Sequence, residues 1–370
     1  MGIKVGGRQN YDMDGLLKEI EQPRIKVVIY FFSVEYERFE PQKALKRAFP
    51  QAICVGASMQ GGWCTTGPME KGIVALSLGA DEVEEVFVTL KEGIKADPTK
   101  SARAAIAELK QKLGYRNINP DDYLGIVLLD GLSQGEVLMQ ELSLEAHLNL
   151  PFIGGAAADE MSFTKTLVGL DEQLSPDGLV LLVMKMKIPF YYNHYVHLTP
   201  GTASMVVTKA DAKQRIVWEI NGEPAASYYA NLVGVERLDR LGFQIFANNP
   251  LGVVSGNTVY CRSMHSVIEG RGLLFYCYIE AGTTLHLLKR GDIIADARNA
   301  LQDASSYLSQ LQGAILFNCT FRLLELKALN KIEAFNNMFK HLPFIGFTTY
   351  GEELFTHHNQ TLTAIFFGRP

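Results

Sequence analysis

Three stretches of this chain repeat one order of apolar and polar positions. The segment LGIVLLDGLSQGEVLMQELSLEAHLN (124–149) runs from a continuous apolar stretch through a polar loop into apolar spacing near 3.6, and LPFIGGAAADEMSF follows it at 150–163. The same order returns in GAILFNCTFRLLELKALNKIEAFNNMFKH (313–341), followed by LPFIGFTTYGEELF at 342–355. A more divergent copy is KVVIYFFSVEYERFEPQKALKRAFPQAICVGAS at 26–58. From apolar run to glycine the intervals are Val28 to Gly56, Leu128 to Gly154 and Leu316 to Gly346, or 28, 26 and 30 residues. Such spacing fits a βαβ unit of roughly 30 residues.

A strand buried on both faces, a helix of three to four turns and a second apolar strand pair in parallel through a right-handed crossover. A further strand candidate follows each copy after a short turn: Gly72–Leu78, Gly178–Met186 and Thr361–Phe367. These predict antiparallel additions. The expected fold class is therefore α/β, with mixed sheets built from three βαβ-type units.

Between the second and third copies the pattern changes to polar alternation. YYNHYVHLTP, SMVVTKAD, RIVWEING, NTVYCRS and LLFYCYIEAGTTLHLLKR read as strands within 191–290. Asn221–Gly222 closes a strand, and Glu223–Pro224 opens a short helix with proline at the first helical position. A second helix is predicted from Asp292, as N-cap, to Leu311. With no Ser/Pro-rich linker in the chain, two tightly packed domains are expected, 24–195 and 196–370, punctuated by Pro189 and Pro200.

Composition narrows the function classes. The 370 residues carry 35 basic and 40 acidic side chains, a net charge of −5, which lacks the cationic excess that a phosphate backbone demands. Nucleic acid is not an expected partner. The N-terminus has no apolar signal region, and the longest apolar run, Leu179–Met184, is strand-sized. A cytoplasmic location without membrane spans is expected. Five scattered cysteines (Cys54, Cys64, Cys261, Cys277, Cys319) show no metal-binding spacing and read as reduced thiols.

Ligands in open α/β sheets lie beyond the carboxyl ends of parallel strands. That rule collects Ser33, Glu35, Ser58, Gln60, Gly61 and Gly62 from copy one. Copy two contributes Asp130, Gly131, Ser133, Gly154, Gly155 and Asp159. From copy three come Asn318, Cys319, Arg322, Thr348, Thr349, Tyr350, Gly351 and Glu352. This is the inventory of a pocket for a small polar molecule. Structural readings stand beside it: an Asx-turn at Asp130, glycines that only let strands pack, Cys319 as a small buried hydrophobe, and Arg322 in an internal ion pair with Glu352 or Asp130. No phosphate loop or G-x-S-x-G elbow is present, so no catalytic residue is assigned. His194, His197 and His265 are candidate single ligands to haem iron, with Arg262 placed to face a propionate. His357–His358 reads as a solvated loop pair.

The ordered motifs LLDGLSQGE (128–136), PFIGGAAADE (151–160), PGTASMVVTKAD (200–211), EINGEPAASYY (219–229), LFNCTFR (316–322), PFIGFTTYGEE (343–353) and NQTLTAI (359–365) resemble the FIST domain, a bacterial sensory module with N- and C-terminal parts. The resemblance covers about residues 24–367. It implies sensing of a small ligand such as an amino acid, and no enzyme activity. By the resemblance, the functional positions are Asp130, Ser133, Gly154, Gly155, Asp159, Asn221, Pro224, Arg322, Tyr350, Gly351 and Glu352, while HYVHLT departs from the family's usual text before the central PG. Because no output domain follows in this sequence, the expected signal leaves through a separate partner such as a histidine kinase or diguanylate cyclase, and a homodimer is a further expectation. A second reading, from the stand-alone haem proteins of the NosP type, is a nitric oxide sensor. The third is an enzyme that uses Cys319.

Overall fold

The computed structural model describes residues 2–144, 150–256 and 258–369. The chain forms two compact units. The first holds the chain up to Tyr195, then Ile294–His357, and again from Thr361 onward; the second holds Val196–Ile293 and His358–Gln360.

In the first unit, one plan of elements occurs three times. Copy one runs β1 (Lys4–Arg8), α1 (Met13–Ile20), β2 (Ile25–Ser33), α2 (Pro41–Ala48), β3 (Ile53–Met59), a hairpin of β4 (Gly62–Cys64) and β5 (Gly67–Met69), and β6 (Ile73–Gly79). Copy two has the same order: β7 (Val83–Glu92), α3 (Pro98–Lys112), β8 (Tyr123–Leu129), α4 (Gly135–Leu144), β9 (Phe152–Ala156), β10 (Val168–Leu170), β11 (Gln173–Ser175) and β12 (Gly178–Met186). Copy three begins with β13 (Phe190–Tyr195), and here the second unit is inserted. That unit contains β14 (Leu198–Asp211), β15 (Ile216–Ile220), β16 (Glu223–Pro224), α5 (Ala225–Leu232), α6 (Phe243–Asn248), β17 (Leu251–Ser255), β18 (Thr258–Arg262), β19 (Met264–Ile268), β20 (Gly272–Phe275) and β21 (Thr284–Arg290). Copy three resumes with α7 (Ile293–Tyr307), β22 (Leu311–Cys319), α8 (Thr320–Ala328), α9 (Ile332–Phe339), β23 (Phe344–Thr349), β24 (Gly351–Leu354), β25 (Thr356–His358) and β26 (Leu362–Gly368).

The βαβ expectation holds in all three copies. Strands β2 and β3, β8 and β9, and β22 and β23 pair in parallel, and Leu316 lies opposite Gly346. The following strands β6, β12 and β26 add antiparallel, as their short turns predict. Gly154 faces Val127, where a Cβ would stand 1.7 Å from the Val127 carbonyl oxygen, so only glycine lets these two strands approach.

What the sequence does not announce is an exchange of hairpins. Sheet orders among the described residues are β1-β6-β2-β3-β10-β11, β7-β12-β8-β9-β24-β25 and β13-β26-β22-β23-β4-β5. Copy two thus lends its hairpin to the sheet of copy one, copy three lends to copy two, and copy one lends to copy three. The ring of loans is closed. Alternate residues of the three sheets meet in one core, with Phe31 stacked on Phe347 at 4.1 Å and edge-on to Phe317 at 6.2 Å. The opposite faces pack under helices: Val28, Tyr30 and Phe32 against α1, and Val127 and Leu129 against α3 and α4. Burial on both faces is why these strands read as unbroken apolar runs.

The second unit is a twisted antiparallel sheet, β18-β17-β21-β14-β15-β20-β19 with β16 on β15, covered by α5 and α6. Several boundaries differ from expectation. Helix α2 has eight residues, and copy three splits its helix because Asn330, at φ +53°, ends α8 in the left-handed conformation. Helix α7 stops at Tyr307, and Leu311 already begins β22. Asn221 and Gly222 both have positive φ and fold Glu223 back onto Ile220, so Pro224 is the N-cap of α5 instead of its first helical residue. The reach from 190 to 200 is not one strand: His194 lies in β13 and His197 between β13 and β14. The region expected as a C-terminal domain, 196–370, is divided, because copy three completes the sheet ring of the first unit.

Candidate functional site

At the carboxyl end of β3 the chain turns through Gln60 and Gly61 into the hairpin that joins the sheet of copy three. A cavity of about 290 Å³ opens there, with Trp63, Met69, Pro68, Leu323 and Ile332 as its apolar lining. Gln60, Glu70, Lys327 and Glu333 supply the polar part, and Lys327 pairs with Glu70 at 3.0 Å. Trp63 is held rigidly: its indole N–H donates to Thr348 Oγ1 at 3.3 Å and its ring meets Phe335 edge-on. Of the residues collected by the strand-end rule, Gln60, Gly61 and Gly62 line this cavity.

A buried polar layer begins at the same place. The Thr320 hydroxyl donates to Gln60 Oε1 at 2.6 Å and approaches the Thr349 carbonyl at 2.9 Å. Thr349 Oγ1 then meets Glu352 Oε1, and Glu352 Oε2 accepts from the N–H and hydroxyl of Thr361 at 3.1 and 2.8 Å. Burial pushes the Glu352 carboxyl up to about 7, with the bonds from Thr349 and Thr361 working against that rise. Cys319, the N-cap of α8, is buried and forms no disulfide, and its backbone N–H donates to the Thr361 carbonyl. Arg322 is fully buried, and its partners are Asp296 at 2.8 Å and Asn318 at 3.0 Å. The internal ion pair foreseen for it exists, with Asp296 of α7 in place of Glu352 or Asp130.

The residues expected from copy two gather at a second place. Asp130 makes the Asx-turn, accepting from Leu132 N, and its carboxylate also meets the Thr166 hydroxyl and Lys95 Nζ. Ser133 donates to the Asp130 carbonyl. Asp159 organises the loop before β10: it accepts from Tyr350 at 2.5 Å, from Ser162 at 2.6 Å, and from the N–H groups of Phe163, Thr164 and Lys165. Burial alone would raise its carboxyl, but the bonds from Ser162, Tyr350, Lys165 and Thr164 outweigh it and hold the group below the usual range. Tyr350 is raised by burial and by Asp159, and its oxygen accepts from Met161 N. Gly155 packs against Thr349, and Gly351 leaves the space that His357 fills. Asp130, Asp159 and Tyr350 therefore share a neighbourhood, whereas Glu352 belongs to the Thr320–Thr361 layer and Arg322 stands with Asp296 and Asn318.

His194 is half-buried on β13, with its pKa lowered by burial, His197 is buried in the second unit, and His265 is exposed beside Tyr276. Arg262 stacks toward Tyr260 and donates to the Cys261 carbonyl. None of the three histidines lines the cavities described here. Asn221 ties its hairpin together through Val206 and Tyr228. His357 and His358 are buried, not solvated; His357 Nδ1 pairs with the buried Glu353 at 2.7 Å. Among the described residues no group of three or more His, Cys, Asp or Glu side chains could hold a metal.

Trp63, Thr320 and Thr361 escaped the sequence reading. Trp63 lies in a three-residue strand with no periodic signal; Thr320 directly follows Cys319 at the carboxyl end of β22 and obeys the rule that found its neighbours, whereas Thr361 precedes β26, an antiparallel strand the rule does not reach. The model of the FIST N domain matches residues 26–223, and that of the FIST C domain matches 225–354. This chain belongs to the FIST family. FIST domains are small-ligand sensory domains. The junction between the two FIST parts falls at the β16–α5 turn, inside the second unit. An uncharacterized protein of Methanocaldococcus jannaschii is 27% identical over 285 residues, 67% of this FIST chain and 54% of the relative. The chain thus spans about half the length of that relative. No helix among the described residues is long and apolar enough to cross a membrane.

Proposed function

We propose that this protein is a sensor whose small ligand sits in the cavity formed by Gln60–Trp63, Pro68–Glu70, α8 and the start of α9. One observation carries the reading: an apolar-lined cavity of about 290 Å³ at a strand end touches, through Gln60, a continuous buried hydrogen-bond layer. The volume lies near the lower bound of small-molecule sites, roughly 300 Å³. Both charge signs stand at its rim, in Lys327, Glu70 and Glu333, around an apolar lining. An amino acid with an apolar side chain matches that chemistry.

In this reading Gln60 contacts the ligand, and Thr320, Thr349, Glu352 and Arg322 are positioning residues that hold α8 and β23 beneath it. Asp130, Ser133, Asp159 and Tyr350, with Gly154, Gly155 and Gly351, fasten the neighbouring sheet crossing. Occupancy changes the balance between two arrangements of this layer, and a separate signalling protein such as a histidine kinase or diguanylate cyclase reads the result. No covalent step is required of Cys319.

Trp63 reports on this site directly. The chain has two tryptophans, so Trp218→Phe leaves Trp63 as the single indole. Titration with the common amino acids should produce a saturable change in Trp63 emission, weakened about tenfold or more by Gln60→Ala. Emission that no amino acid alters would reject the amino-acid reading of the cavity.

A further inference from the structure

A second cleft, of about 440 Å³, lies beside β1. Its one wall is Ile3–Gly7, and the other is built by Thr65, Thr66 and the 340–343 segment. Strand β1 ends its sheet, paired on one side with β6, so its other side offers main-chain donors and acceptors, apart from the Gly7 carbonyl, which accepts from the Arg8 guanidinium at 2.8 Å. Lys4, Lys340 and His341 stand exposed in the cleft, and no ion pair among the described residues engages them. Among the described lining residues the only acid, Glu19, is already bound to Arg8 at 2.7 Å.

We infer that this cleft receives an acidic, extended segment of a partner protein, which adds as a strand to the free edge of β1. Main-chain pairing supplies the affinity in such additions and alternate side chains the selectivity. The five residues of β1 offer about 17 Å of edge at roughly 3.4 Å per residue. Uncompensated cations on both walls select acidic side chains. Lys4 also repels the β1 edge of a second copy, so self-pairing is disfavoured where an acidic strand is attracted. This surface is separate from the ligand cavity and stands whether or not the cavity binds an amino acid.

The test is fluorescence anisotropy with a labelled, acetylated peptide of alternating Glu and Val, alongside a peptide with Pro in place of each Val. The expected result is salt-sensitive binding of the Glu/Val peptide, at least about tenfold weaker binding in the Lys4→Glu/Lys340→Glu double variant, and none of the Pro peptide. Both substituted lysines are exposed, and an unchanged circular-dichroism melt confirms that the variant folds. Hydrogen exchange should show new protection of the β1 amides on binding. The inference is overturned if the Glu/Val peptide stays unbound at about 1 mM, if charge reversal leaves its affinity unchanged, or if the Pro peptide binds equally well, which would mark a plain anion site.

Discussion

Gln60 Oε1 accepts a 2.6 Å hydrogen bond from the Thr320 hydroxyl, joining residues 260 positions apart at the point where copy one enters the sheet of copy three. Thr320→Val keeps the side-chain shape and removes the donor. It should destabilise the protein by about 1–3 kcal/mol, the cost of leaving the buried Thr349 carbonyl without this donor, and blunt the Trp63 response to ligand. Urea unfolding together with the fluorescence titration checks both effects. A normal ligand response in this variant would detach the polar layer from sensing.

Glu352 predicts an unusual pH dependence. Its carboxyl lies at about 7 when folded, against an ordinary value of 4.5, so the folded state holds this proton more tightly. Its contribution to stability is complete below pH 4.5 and is lost as pH rises through 7. Over a window of about 2.5 pH units that amounts to about 3 kcal/mol at 1.36 kcal/mol per unit. Glu352→Gln, with its oxygen toward Thr361 and its amide toward Thr349, should flatten this part of the stability profile. Unfolding free energies measured from pH 5 to pH 8 in both proteins give the comparison; parallel profiles would contradict it.

Arg322 and Asp296 form a buried pair, so removing one partner is more harmful than replacing both. Arg322→Ala should cost about 3–5 kcal/mol, while Arg322→Met/Asp296→Leu should recover most of that loss. Thermal unfolding separates the outcomes. Equal destabilisation by the single and double variants would show that the pair itself is not what Arg322 supplies.

Asp159 holds a loop in which Glu160, Met161 and Phe163 all have positive φ, a costly conformation for residues with side chains. Asp159→Ala should release that loop, and limited proteolysis should cut it within 160–165 while the rest of the chain stays resistant. The depressed Asp159 carboxyl stabilises above its ordinary 3.8 and loses that contribution as pH falls through the folded value. Resistance of Asp159→Ala equal to wild type would refute its fastening role.

The closed ring of hairpin loans makes the first unit interdependent. A fragment of residues 1–195 lacks β24–β25, so β9 loses its neighbour, and its own β4–β5 hairpin has no sheet to join. It should show no cooperative melt by circular dichroism, whereas the full chain should. An independently folding fragment would contradict the exchange.

That exchange marks where sequence reading stops. The long apolar strands were legible because both of their faces are buried, and the Leu316–Gly346 spacing located a parallel pair correctly. By contrast, β4, β10 and β11 have three residues each, too few for periodicity, and Trp63 pairs with Gly346 across most of the chain. The strand-end rule found Gln60, Thr349, Glu352, Asp159 and Tyr350. It could not assign partners, since Asp296 reaches Arg322 from a helix that follows the inserted unit. His357 and His358 looked solvated because polarity was the only local signal; the space at Gly351 that buries His357 is set by tertiary packing.

The most direct test of the central claim is a thermal-shift titration of wild type and Ile332→Trp with the common amino acids, since Ile332 lines the cavity and is only half-buried. The account predicts that at least one apolar amino acid raises the wild-type Tm in a saturable manner, as binding to the native state requires, and that the filled cavity abolishes the rise. An equal rise in Ile332→Trp, or no rise in wild type with any amino acid, would contradict it.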